Sequence, residues 1–180
     1  INISNCKLSK FLKKNNSKIF TDLDVFYSFY NNKSITVTGT NGKSTTAKIL
    51  HDVLLDQKKD VRLVGNIGNP ILNERKIKKE TIFVIEASSY QLDYSKIFTS
   101  KYAIILNISP DHLERHRNFK SDTNVKVKLF QNQISKGISI IKKSDDYIST
   151  KLKKLKVNSK ILKLSKNEIK YLVRKINNKT

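Results

Sequence analysis

Cysteine is all but missing from the 180-residue chain, where Cys6 stands alone. A lone cysteine forms no intrachain disulfide, which excludes a disulfide scaffold and suits a reducing cytosol. No stretch approaches the ~18 consecutive apolar residues of a membrane-spanning helix, and the N-terminus has no signal-peptide pattern. A soluble cytoplasmic protein is the expectation. Acidic residues are scarce as well, 15 against 36 Lys and Arg, for a net charge of +21. The excess does not read as a nucleic-acid surface. Of the 36 cations 31 are Lys, set among abundant Ile and Asn, a skew that looks like genome-wide compositional bias; nucleic-acid modules lean on Arg and concentrate their charge. Residues 1–40 carry +4, residues 41–135 carry +6 and residues 136–180 carry +11, so the excess lies mostly in the tail. The chain is too short for three domains. It starts with Ile rather than Met and so reads as a piece of a longer protein.

Residues 1–32 are polar and basic, with a helix-like stretch over 24–30, and read as the end of a preceding unit. From Ser34 the pattern sharpens. Residues 35–38 form a short β-rich run, 39–42 a turn, and 43–57 a helical segment with Ala47, Leu50, Val53 and Leu54 on one side. Further strands are expected over 61–64, 81–87, 103–108, 138–141 and 160–164, and helices over 121–134 and 145–155. Unbroken apolar strands alternating with helices predict an α/β fold, a mostly parallel sheet flanked by helices. No linker rich in Gly, Ser or Pro interrupts residues 33–165, so 33–180 reads as one domain, cut short at its C-terminus.

The polar and glycine-bearing segments follow these strands one after another, which places them where open parallel sheets bind ligands, beyond the carboxyl ends of the strands. The first is Thr38-Gly39-Thr40-Asn41-Gly42-Lys43-Ser44-Thr45. Its glycines allow successive N–H groups to converge on phosphate oxygens in front of the positive end of a helix. Lys43 would neutralise the β/γ-phosphates and the Ser44 hydroxyl would hold Mg²⁺. The general pattern G-x-x-x-x-G-K-[ST] is not met, because Val37 stands where its first Gly belongs; the plain alternative is a Gly-rich turn before a helix. Glu86 ends an otherwise apolar strand, where a carboxylate meets a cation, a donor or simply solvent. Ser88 and Ser89 are the residue types of a helix cap. Ser109-Pro110 reads as an N-cap with Pro at the first helical position, which puts His112 in the first turn, where many polar side chains only satisfy backbone donors. His51 and His116 read as surface or packing residues.

The loop T-G-T-N-G-K-S-T resembles the nucleotide loop of the Mur ligase superfamily. The segments Gly65-Asn66-Ile67-Gly68-Asn69-Pro70, Glu86-Ala87-Ser88-Ser89-Tyr90-Gln91-Leu92 and Leu106-Asn107-Ile108-Ser109-Pro110-Asp111-His112-Leu113-Glu114-Arg115-His116 are similar to its D-glutamate-adding branch. The likeness runs from about residue 19 to residue 146. It implies a P-loop-type central ATP-binding domain over 33–180, the end of an N-terminal UDP-binding domain over 1–32, and an absent C-terminal domain. It further implies ATP and Mg²⁺ as cofactors, UDP-N-acetylmuramoyl-L-alanine and D-glutamate as substrates, an acyl-phosphate intermediate, and a monomeric enzyme working without nucleic acid or membrane. By motif, Gly39, Thr40, Asn41, Gly42, Lys43, Ser44 and Thr45 bind the nucleotide, Ser44 and Glu86 bind a first Mg²⁺, His112 and a carbamylated Lys126 bind a second, and Asn66 faces the muramoyl-alanine substrate. On the same resemblance, Lys43, Lys126 and His112 would form the catalytic set.

Lys126 is singled out by helix geometry too. At about 100° per residue from Val125, the apolar residues Leu129, Phe130 and Ile134 span an arc from about 40° to about 180°. Lys126 lies near 100°, inside it, and Lys128 near 300°, outside. An inward lysine is costly unless paired or neutralised; as a carbamate it would become an oxygen ligand. Two other readings stay open. One is another amino-acid ligase of the superfamily, against which Ser44 and Gln91 argue. The other is an inactive piece serving only as a nucleotide-binding or basic binding module, the latter expected to show affinity that falls steeply with salt.

Overall fold

The computed structural model describes residue 11 and residues 14–108, 119–133 and 136–165. Among these residues lie six strands, β1 (Ser34–Thr38), β2 (Val61–Gly65), β3 (Ile82–Glu86), β4 (Tyr102–Ile105), β5 (Ile138–Lys142) and β6 (Lys160–Leu164). They form one sheet in the order β2-β3-β1-β4-β5-β6 with every pairing parallel. The α-helices among the described residues are α1 (Asp22–Phe29), α2 (Lys43–Asp56), α3 (Ser89–Tyr94), α4 (Phe119–Gln131) and α5 (Asp146–Lys153).

Apolar residues run unbroken along β3 because the strand is covered on both sides. Its side chains alternate between two cores, Phe83 and Ile85 joining the larger and Val84 the smaller. The larger core is filled by Leu23 and Phe26 of α1, Val127 and Phe130 of α4, and Ile148 and Leu152 of α5. Phe26 meets Phe83 edge-on with ring centroids 4.9 Å apart. The smaller core gathers Val37, Val61 and Val84 under Ala47, Leu50 and Leu54 of α2. Val53 does not join them and is 48 % exposed, since six residues on from Ala47 it has turned about 240° round the helix.

Element ends shift for identifiable reasons. Helix α1 starts at Asp22 because Thr21 and Asp24 close a capping box. Ser88 and Gln91 do the same for α3, so the Ser-Ser pair does start a short helix. Strand β4 stops at Ile105 rather than 108: Leu106 N still donates to Thr38 O at the end of β1, but Asn107 O accepts from Thr40 N in the loop beyond it. Helix α4 begins at Phe119 and ends at Gln131; Ile134 lies outside the described residues.

Asp24 ties α1 to the sheet. Its carboxylate, fully buried, accepts hydrogen bonds from Ser95 Oγ and from the backbone N–H groups of Thr21, Lys96, Ile97 and Phe98. Burial works against its charge, and the donors at Thr21, Ile97, Phe98 and Lys96 outweigh burial, holding the carboxyl below its ordinary value. The strand order reverses at β1, which lies between β3 and β4. The crevice beyond its carboxyl end is therefore the topological switch point of the sheet.

Candidate active site

The loop from Gly39 to Gly42 fills that crevice. Gly39 has φ 150°, and a Cβ there would meet Asn107 O and Leu106 Cβ at 3.2 Å. Gly42, at φ 81°, is the N-cap of α2 and offers no side-chain cap. The intrahelical ladder starts with Thr46 N donating to Gly42 O, so the N–H groups of Lys43, Ser44 and Thr45 fall outside it and face the front of the helix. Asn41, Gly42, Ser44 and Thr45 are exposed, and Lys43 is half-buried. The Lys43 amine donates to Thr40 O at 2.8 Å, folded back on its own loop.

Glu86 ends the neighbouring strand and is 1 % exposed. Its Oε1 accepts from Asn66 Nδ2 at 3.2 Å, while Oε2 has no partner among the described residues. Thr38 Oγ1, at the end of β1, is likewise buried without one. A buried carboxylate oxygen lacking a donor is the kind of group that a cation satisfies, and the Ser44 hydroxyl stands at the start of α2 in the same crevice. Among the described residues no three His, Cys, Asp or Glu side chains cluster as a ready-made metal site. The donor set therefore suits a hard ion that completes its shell with oxygens from a bound ligand and water.

Asn66 is held by main-chain geometry. Its N–H donates to Glu86 O at 2.9 Å, and the turn after β2 is locked by Gly65 N to Asn69 O and Asn69 N to Leu63 O. A Cβ on Gly65 would lie 2.4 Å from Glu86 O, and one on Gly68 would lie 2.2 Å from Leu63 O, so neither position has room for a side chain. Asn69 Nδ2 donates to Glu74 Oε1, bracing the turn from outside.

Lys126 comes in from α4 and is 1 % exposed. Its amine contacts Asp122 Oδ2 at 2.6 Å and Thr40 Oγ1 at 3.1 Å. The Lys126–Asp122 pair is buried and reaches the phosphate loop. Lys128, outside the apolar arc, is not a free surface charge: it donates to Asp93 O and Ser95 O at the end of α3. His112 lies outside the described residues, as do the other positions of its motif from Ser109 to His116. Sequence reasoning gave no part to Asp122 or to Asn107. The first was signalled by its place four residues before an inward lysine, the second by being a polar residue just past an apolar strand, as Glu86 is.

The chain is similar to known proteins. A family profile described as the Mur ligase middle domain matches residues 37–180. A UDP-N-acetylmuramoylalanine–D-glutamate ligase of Rickettsia bellii is 39 % identical over 142 residues, 78 % of this chain and 31 % of that protein. The ligase of the same name from Clostridioides difficile is 31 % identical over 159 residues, 87 % of this chain and 35 % of its own length. The chain thus spans about a third of the length of the curated relatives it matches. In three dimensions it superposes on a MurF ligase from Thermotoga maritima solved with ADP, with a TM-score of 0.62 at 19 % identity over 85 % of this chain and 36 % of the other. With most of its length matched by the profile, and with the loop, the buried carboxylate and the parallel sheet in one arrangement, the chain belongs to the Mur ligase middle-domain family.

Proposed function

We propose that this chain is the ATP- and Mg²⁺-binding core of a ligase that joins D-glutamate to UDP-N-acetylmuramoyl-L-alanine. One observation carries the reading: a Gly-Lys-Ser helix start and a buried carboxylate, with one oxygen unpartnered among the described residues, follow neighbouring strands at the switch point of a parallel sheet. The names of the relatives at 31–39 % identity supply the substrates. In such a reaction the ATP γ-phosphoryl passes to the substrate carboxylate, giving ADP and an acyl phosphate. The D-glutamate amine then attacks the acyl carbon, the amide bond forms, and phosphate leaves.

For this chain the work is positioning and charge neutralisation. The N–H groups at the front of α2 receive phosphate oxygens. Lys43 leaves Thr40 O for the β/γ-phosphates, and Asn66 orients the muramoyl-alanine end beside Glu86. Mg²⁺, when bound, offsets the negative charge of the transferring group; Ser44 and Glu86 would hold one ion. His112 and Lys126 as a carbamate would hold another. A carbamate on Lys126 would need a cation to offset the Asp122 carboxylate beside it. A cytoplasmic monomer needing neither nucleic acid nor membrane belongs to the same reading; among the described residues no helix is long and apolar enough to cross a membrane.

Two measurements test it. The chain should bind Mg-ATP, and binding should be lost in Lys43→Ala with the fold intact. Grafted in place of the matching segment of the Rickettsia bellii ligase, it should support phosphate release that requires both UDP-N-acetylmuramoyl-L-alanine and D-glutamate. Release driven equally well by another amino acid would favour a different ligase of the superfamily.

A further inference from the structure

We infer that Asn107 is a positioning residue that builds the phosphate loop before any nucleotide arrives, a role that rests on the nucleotide reading above. Its carboxamide grips one residue, Asn41, at two points. Oδ1 accepts from Asn41 N–H at 2.9 Å, and Nδ2 donates to the Asn41 carbonyl at 3.0 Å. The main chain continues the grip, with Leu106 N donating to Thr38 O at 3.0 Å and Thr40 N donating to Asn107 O at 3.1 Å. The β1–β4 pairing, whose last register pair is Thr38 with Ile105, is thereby carried into the loop by one side chain that behaves like a peptide unit. Gly39 makes this approach possible, as its missing Cβ would crowd Asn107 O.

The clamp has a chemical consequence. The N–H groups of Thr40 and Asn41 are committed to Asn107, so they are not donors to a phosphate. Recognition falls to the N–H groups at the front of α2, from Gly42 to Thr45, and to the Lys43 amine. With the first half of the loop already fixed, binding does not have to order it. Asparagine suits the task because it carries a donor and an acceptor in one plane. Aspartate keeps only the acceptor, alanine neither, and glutamine sets the amide a methylene too far out.

The test uses the 180-residue chain and two readouts, amide hydrogen exchange at Asn41 without nucleotide and affinity for a fluorescent Mg-ATP analogue. In Asn107→Ala, Asn41 should exchange at least about tenfold faster and affinity should fall about 5- to 30-fold, the loss of two modest hydrogen bonds. In the isosteric Asn107→Asp, the carboxylate still accepts from Asn41 N–H and exchange stays slow, yet affinity falls because the donor is gone and a negative charge has entered an anion site. Unchanged exchange in the alanine variant, or affinity within twofold of the parent in both variants, overturns the proposal. A parent chain that binds no ATP overturns the nucleotide reading and this role with it, and is told apart because exchange at Asn41 still answers to Asn107.

Discussion

Lys126 Nζ lies 2.6 Å from Asp122 Oδ2, one helical turn away, with both side chains withdrawn from water. Removing one member takes the adjacent counter-charge from the other. Asp122→Ala is therefore expected to destabilise the chain by about 3–5 kcal/mol, whereas replacing both with apolar residues of similar volume should recover most of the loss. Urea unfolding of the two single variants and the double variant decides this. If the loaded enzyme carries a Lys126 carbamate, Lys126→Ala in the grafted ligase should lose turnover that formate partly restores. Lys128→Ala should lower stability through the freed carbonyls of Asp93 and Ser95 and leave turnover largely intact.

Ser44→Ala should raise the Mg²⁺ concentration needed for nucleotide binding while leaving binding of the metal-free nucleotide nearly unchanged. Titrating a fluorescent ATP analogue at several Mg²⁺ concentrations separates the two. Equal losses with and without the ion would assign the hydroxyl to the phosphates instead.

Acid should weaken the fold through Asp24. Its folded carboxyl lies below the ordinary value of about 3.9, so the stabilisation is fully present above that value and drains away as pH falls through the folded pKa. Asp24→Asn should flatten this acid limb of the stability curve. It should also cost more than about 2 kcal/mol at neutral pH, because its amide cannot accept from all of the donors that converge there. An unchanged acid limb would assign the acid sensitivity to other carboxylates.

The glycines should rank by the space beside them. Gly68→Ala drives a Cβ onto Leu63 O at 2.2 Å and Gly65→Ala onto Glu86 O at 2.4 Å, so both should unfold the turn that presents Asn66. Gly42→Ala meets only Leu106 Cδ1 at 3.7 Å and carries mainly the penalty of its positive φ, about 1–2 kcal/mol. Thermal melts of the three variants should fall in that order.

What could be read from the sequence was what local chemistry writes down. Unbroken apolar runs marked the strands, glycines the phosphate loop, and a carboxylate at the end of an apolar run pointed to Glu86. The strand order is different, because nothing within residues 34–38 says that they will lie between 82–86 and 102–105. Asn107 escaped for that reason. Its partner is 66 residues away in sequence, and only the pairing of β1 with β4 brings them together. The need for Gly65 is equally non-local, since the atom that forbids a Cβ belongs to Glu86. Val53 was misplaced for a simpler reason, an apolar residue assigned to a stripe that the helix had already rotated past.

The order of the strands also sets an order of assembly. β1 pairs with β3 and β4, never with β2, and β2 pairs only with β3. A chain emerging from its N-terminus therefore holds two strands with no neighbour until residue 86 is free. Its phosphate loop has no clamp until residue 107 follows. Contacts this distant in sequence close slowly, so during refolding the recovery of nucleotide affinity should trail the recovery of helical signal.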